Sequence, residues 1–220
     1  CDFGFLILNN FVLMIRRLFR HCRQPALRYL GSRDAYAKWA VDYPPSPHNA
    51  LMEIEQQTML SLMPALKNKC VLDLACGTGR YGLIAREQGA SMMIGVDDSI
   101  DMLKQSPLDR VVLGSMAMIP IADDSVDVVL CGLAVGHFAD LAAVLNEIGR
   151  VLCVGGQAVI SDFHPFQYMR GARRTFIHNH MTYEVEHYPH LYQTIHEACS
   201  QSGLTIQAVK EPMLAGQSTP

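Results

Sequence analysis

Two aspartates, Asp73 and Asp97, and the glycines between them are the residues of this chain best placed to do chemistry. Residues 70–82 read Cys-Val-Leu-Asp-Leu-Ala-Cys-Gly-Thr-Gly-Arg-Tyr-Gly. An apolar run carries Asp73 where a buried strand should end, Gly77 and Gly79 open a tight turn, and a helix-like stretch follows from Arg80. Strand, glycine turn and helix let backbone N–H groups approach a nucleotide-like ligand closely. Gly77, Gly79 and Gly82 also match the dinucleotide fingerprint, in which the pyrophosphate sits on the helix N-terminus. Asp73, four residues before the first glycine, would repel that pyrophosphate. It suits a ligand bearing an ammonium or sulfonium group. Asp97 ends a second apolar run, 18 residues past Gly79, where a carboxylate can accept from the hydroxyls of a ribose.

One acid near an amino group and one for a diol fit S-adenosylmethionine better than NAD. Four stretches then carry a family resemblance: residues 71–79, 95–99 (Gly-Val-Asp-Asp-Ser), 119–129 (Ile-Pro-Ile-Ala-Asp-Asp-Ser-Val-Asp-Val-Val) and 150–160 (Arg-Val-Leu-Cys-Val-Gly-Gly-Gln-Ala-Val-Ile). Over residues 33–162 the chain resembles the class I S-adenosylmethionine-dependent methyltransferases. The likeness is to the broad type 11 group, which includes quinone-biosynthesis C-methyltransferases. The resemblance implies S-adenosyl-L-methionine as cofactor and S-adenosyl-L-homocysteine as product. It carries cofactor contacts onto Asp73, Ala75, Gly77, Gly79, Asp97, Asp98, Ser115, Met116 and Leu133. Ser115 stands where many relatives have an aspartate that accepts from the adenine amino group, and a hydroxyl makes the weaker bond. Asp98 stands where relatives often carry a hydrophobic residue.

The stretch 131–137 normally faces the reactive methyl in this family. Here it lacks the Asn/Asp-Pro-Pro-Tyr signature with which base- and amide-methylating relatives hold a planar amino group. A small-molecule acceptor, methylated on oxygen or carbon, is therefore expected, and no nucleic acid. His137 is the leading general-base candidate because histidine titrates near neutrality; a capping or packing role is the alternative. Asp162 and His164, at the end of a further apolar run, are the next acid–base candidates. His178, His180, His187, His190 and His196 match no compact zinc signature, and no metal is expected. Methyl transfer draws much of its rate from alignment, so it needs no elaborate acid–base set. A nucleoside-binding protein without turnover and an NAD-dependent oxidoreductase stand as alternative functions.

These residues need a scaffold, and the pattern supplies one. Apolar runs near 69–74, 91–97, 109–113, 126–132 and 155–162 alternate with helical patterns near 79–89, 99–105 and 138–152. Strand–helix alternation predicts a Rossmann-like, doubly wound, mostly parallel α/β sheet with helices on both faces. Helices near 32–41 and 49–63 predict an N-terminal helical cap, where the family usually covers the cofactor and admits substrate. Residues 173–187 read as extended, 188–201 as a helix and 203–210 as a strand. The family's sheet has seven strands, and no strand pattern follows residue 211, so its final strand is expected to be missing.

The 220 residues, 50% hydrophobic and 18% charged, suit one domain over 33–220 behind an extension at 1–32. A net charge of −3 gives no electrostatic reason to expect nucleic acid. Seven scattered cysteines without a Cys-x-x-Cys pair point to a reducing, cytoplasmic setting. Residues 11–23 place apolar side chains on one helical face and arginines on the other. Weak contact with a membrane surface and packing on the domain are the two readings of that face.

Overall fold

A computed structural model describes residues 27–213, so the expectations for residues 11–23 lie outside the described residues. Strand β1 (Leu27–Leu30) and helices α1 (Ser32–Trp39) and α2 (Ala50–Leu62) come first. Asn49 caps α2, its side chain accepting from the Met52 N–H at 2.9 Å. The alternating unit follows: β2 (Cys70–Leu74), α3 (Arg80–Glu87), β3 (Met92–Asp97), α4 (Ile100–Gln105), β4 (Val111–Leu113), β5 (Val126–Gly132), α5 (Leu141–Val151) and β6 (Leu152–Ser161). The chain closes with α6 (Pro165–Met169), β7 (Thr175–His178), β8 (Met181–Val185) and α7 (Tyr192–Gln201).

Strands β4-β3-β2-β5-β6 form a parallel sheet in that order. The chain winds outward from β2 to β4, then returns to β5 and winds the other way. This reversal opens a crevice between the carboxyl ends of β2 and β5, where open α/β sheets bind ligands. Both faces of the sheet are covered. Leu72, Leu74 and Val129 pack with Val144, Ile148 and Val151 of α5, whereas Val71, Val128 and Leu130 pack with Met59 of α2 and Tyr81 and Ala85 of α3. Coverage on both sides is why these strands read as continuous apolar runs.

The sequence pattern marks only part of the second sheet, β1-β8-β7. Residues 27–30, counted above with the extension, pair in parallel with β8, Leu27 opposite Thr182. The extended run 173–187 resolves into the β7–β8 hairpin. Its turn residues Asn179 and His180 both take positive φ, 49° and 60°, as a two-residue hairpin loop requires. Trp39 of α1 stacks on Phe176, their centroids 4.8 Å apart, and Phe176 stacks on Tyr183, so aromatic packing welds α1 to this sheet. No helix among the described residues is long and apolar enough to cross a membrane.

The strand expected at 203–210 does not form. Gly203 turns the chain at φ 71° after α7, and Leu204 packs on the core. Gln207 meets β6 through a side-chain bond from Gln157 at 3.3 Å, and no ladder of main-chain bonds builds a strand among the described residues. Residues 211–213 carry no strand either. The tail leaves α5 very close to the end of α7, because a Cβ at Gly149 would stand 2.7 Å from the Ser202 carbonyl oxygen. That neighbour is backbone and cannot swing aside. Gly149→Ala should therefore lower stability by about 1–3 kcal/mol in denaturant titration, despite alanine's better helix propensity. An unchanged midpoint would mean that α7 docks more loosely than this contact requires.

Candidate functional site

The crevice holds a cavity of about 790 Å³, counting its open mouth. Its floor is the turn after β2, with Asp73, Ala75, Cys76, Gly77 and Thr78. Asp97 and Asp98 at the end of β3, with Gly114 and Met116 beyond β4, form one wall. Gly132, Leu133, Ala134, His137 and Phe138 after β5 form the other. Ser32, Tyr36 and Tyr43 cover it from the N-terminal segment, and Arg174 enters from just before β7.

Left-handed backbone makes the floor. Gly77 and Gly79 take φ of 55° and 90°, and Ala75 and Leu133 take 55° despite their side chains. Asp73 is 1% exposed, and its Oδ2 accepts from the Gly82 N–H at 2.7 Å, tying the strand end to the first turn of α3. Burial pushes its pKa up to about 7, against the pull of that bond and of Arg80. Asp97 accepts from the Gly77 N–H at 2.8 Å and from the Ser99 N–H at 2.9 Å, and burial raises it to about 6. Neither carboxylate has a lysine or arginine within ion-pair distance among the described residues. Beneath the floor, Glu55 of α2 pairs with Arg80 at 2.9 Å and accepts from Tyr81 at 2.7 Å and Ser161 at 2.5 Å.

At the other end His137 is held from both ring nitrogens. Its Nδ1 lies 2.8 Å from the Glu186 carbonyl oxygen, so Nδ1 carries the proton. Its Nε2 is then the acceptor, 3.1 Å from Arg174 Nη1 and 3.2 Å from the Tyr36 hydroxyl. Burial, with Arg174 beside it, lowers its pKa to about 3, so the ring is neutral. Its one lone pair is already spoken for.

Other candidates stand apart. Gly79 and Ser115 are not among the cavity-lining residues: a Cβ at Gly79 would press on Leu108 and Ser106 at 2.8 Å, and the Ser115 hydroxyl accepts from the Ala117 N–H in a turn. Asp162 sits behind Gly136 beside His187, its Oδ1 buried without a partner, and does not line the cavity. His164 was expected to point toward the pocket, and it does not. It precedes Pro165 at the start of α6, accepts from the Phe166 N–H at 3.1 Å and faces Glu211 in solvent.

Compared with known proteins, residues 72–160 match the family model described as a methyltransferase domain. Over that segment the chain is similar to the class I S-adenosylmethionine-dependent methyltransferases. A crystal structure of an S-adenosylmethionine-dependent methyltransferase from Mesorhizobium loti shares the fold with TM-score 0.63 and 21% identity, over 74% of this chain and 86% of that one. The malonyl-[acyl-carrier protein] O-methyltransferase of Pectobacterium atrosepticum is 34% identical over 48% of this chain and 43% of its own length. The demethylmenaquinone methyltransferase of Lactiplantibacillus plantarum is 38% identical over 47% and 48%. The chain spans about half the length of those two curated relatives.

S-adenosyl-L-methionine, with S-adenosyl-L-homocysteine as product, is the cofactor that this likeness implies. The donor set fits it. Two buried carboxylates with raised pKa values match a ligand that brings a cationic amino group and a diol, and Thr78 Oγ1 is a buried hydroxyl without a partner in the same turn. The cavity is also lined by residues the sequence did not mark: Ser32, Tyr36, Tyr43, Arg80, Tyr81, Met102 and Arg174. Arg80 and Tyr81 lie inside the glycine motif and could have been suspected from that position. Arg174 gave no signal, because an arginine in an alternating run ordinarily faces water.

Proposed function

We propose that this chain transfers the methyl group of S-adenosylmethionine to oxygen or carbon of a small-molecule acceptor, in the reducing cytoplasm that its free thiols suit. The observation that supports this is one cleft holding two chemically different ends. Uncompensated carboxylates, Asp73 and Asp97, lie at one end, and the neutral His137 with Arg174 and Tyr36 lies at the other. Asp73, Ala75, Gly77, Asp97, Asp98, Met116 and Leu133 would hold the cofactor. It supplies a methyl carbon on a cationic sulfur, a good electrophile. The chain's own contribution is to fix two reactants in line and exclude water, which can supply most of the acceleration. In this reading His137 positions its neighbours and does not remove a proton.

The names of the relatives favour a small acceptor group, carrier-borne or free: one is a malonyl-[acyl-carrier protein] O-methyltransferase, the other a demethylmenaquinone methyltransferase. The test is twofold. S-adenosylhomocysteine should raise the melting temperature where NAD does not, and methyl-labelled cofactor incubated with a small-molecule cell extract should label a product. Stabilisation by NAD alone would sink the reading. Firm cofactor binding with no labelled product across extracts would favour a nucleoside-binding protein without turnover.

A further inference from the structure

Arg174 is a cation without a countercharge at the acceptor end of the cleft. Its Nη1 donates both hydrogens, one to the Leu133 carbonyl oxygen at 2.5 Å and one to His137 Nε2 at 3.1 Å. Those bonds fix the plane of the guanidinium. They leave Nε and Nη2 with no hydrogen bond among the described residues, and that edge of the fork is the one matched to two oxygens of a carboxylate. No described carboxylate lies within ion-pair distance of Arg174; Asp162 and Glu55 act on it only from farther away. The side chain is nonetheless drawn in under Tyr36 and Tyr43, where an unpaired charge is costly.

We propose that the acceptor is a carboxylate, held by Arg174 at the His137 end of the cleft; this rests on the methyltransferase reading above. A carboxylate arrives already deprotonated at neutral pH, which agrees with a site whose histidine has no free lone pair. The carboxylate oxygen forms an O–CH₃ bond as the S–CH₃ bond breaks, and the electron pair of that bond stays on sulfur. One anion and one cation become two neutral molecules, and no proton changes hands. The ester no longer matches the guanidinium, so product release follows from the same contact. Tyr36 and His137 are positioning residues here, keeping the guanidinium plane in place.

Two measurements on the whole chain test this. Labelled product formed from a small-molecule cell extract should be alkali-labile, releasing the label as volatile methanol, as methyl esters do and phenol ethers or C-methyl groups do not. Arg174→Met should lower kcat/KM at least 100-fold while S-adenosylhomocysteine affinity stays within about two-fold, which also shows that the variant folds. Arg174→Lys should retain part of the activity, since it keeps charge and loses the fork. Independently of turnover, propionate and benzoate at millimolar concentration should stabilise the S-adenosylhomocysteine-loaded wild type against heat and leave Arg174→Met unmoved, with the matching amides inert on both. Alkali-stable label, or equal responses of wild type and Arg174→Met, would overturn the carboxylate assignment and leave methyl transfer standing. Failure to bind S-adenosylhomocysteine at all would remove both.

Discussion

Asp73→Asn should weaken S-adenosylhomocysteine binding at least ten-fold while making the free protein more stable above pH 7. The two effects have one cause. Asparagine keeps an oxygen for the Gly82 N–H, so the tie between β2 and α3 survives. What disappears is a charge buried without a cation in contact. Burial holds the folded-state pKa of Asp73 at about 7, above the ordinary carboxylate value, so the folded form binds this proton more tightly than the unfolded chain. The sign follows. Asp73 lowers stability progressively as pH rises from about 4 to 7, with the full cost present above 7 and none below 4. Removing it should gain about 2–4 kcal/mol at pH 8. A cationic amino group in the cleft favours the ionised form, so wild-type binding between pH 6 and 7 should release a proton. Calorimetry in buffers of different ionisation enthalpy reads that release, and the variant should show little of it. If Asp73→Asn binds as tightly as wild type, the amino group of the ligand lies elsewhere.

The second large effect belongs to Glu55. Its carboxylate is buried, and it serves α2, α3 and β6 at once through Arg80, Tyr81 and Ser161. Glu55→Ala leaves the Arg80 guanidinium, 10% exposed, without its partner. Breaking a buried pair from one side costs about 3–5 kcal/mol, or roughly 10 °C in melting temperature for a domain of this size. Glu55→Gln should lose less, because the amide oxygen still accepts from Tyr81 and Ser161. Equal melting temperatures for wild type and Glu55→Ala would show that water replaces the pair. Because Arg80 and Tyr81 both line the cavity, cofactor affinity should fall with stability in Glu55→Ala.

What the sequence revealed divides along physical lines. Asp73 and Asp97 could be read because each ends a strand buried on both faces, where a carboxylate interrupts an apolar run and must have a reason. The glycine turn is local, so its spacing carries its geometry. His164 misled because it follows the end of β6, yet Pro165 begins a helix there and makes His164 its cap. Residues 203–210 had the alternation of a strand but no neighbouring edge that took up their backbone. Of the acceptor end only His137 was marked, for a deeper reason. Tyr36, His137 and Arg174 come from three distant segments, and only the second sheet brings them together.

That second sheet also orders the making of the protein. Leu27 meets Thr182, so the parallel pairing of β1 with β8 closes a loop of more than 150 residues. Closing so long a loop in an unstructured chain is entropically costly, and such contacts form late. The segment from β2 to β6 is contiguous and can bury its core while the rest is still being synthesised. The sheet that floors the cleft can therefore be complete before Arg174 and the β7–β8 hairpin are in place to close its far end.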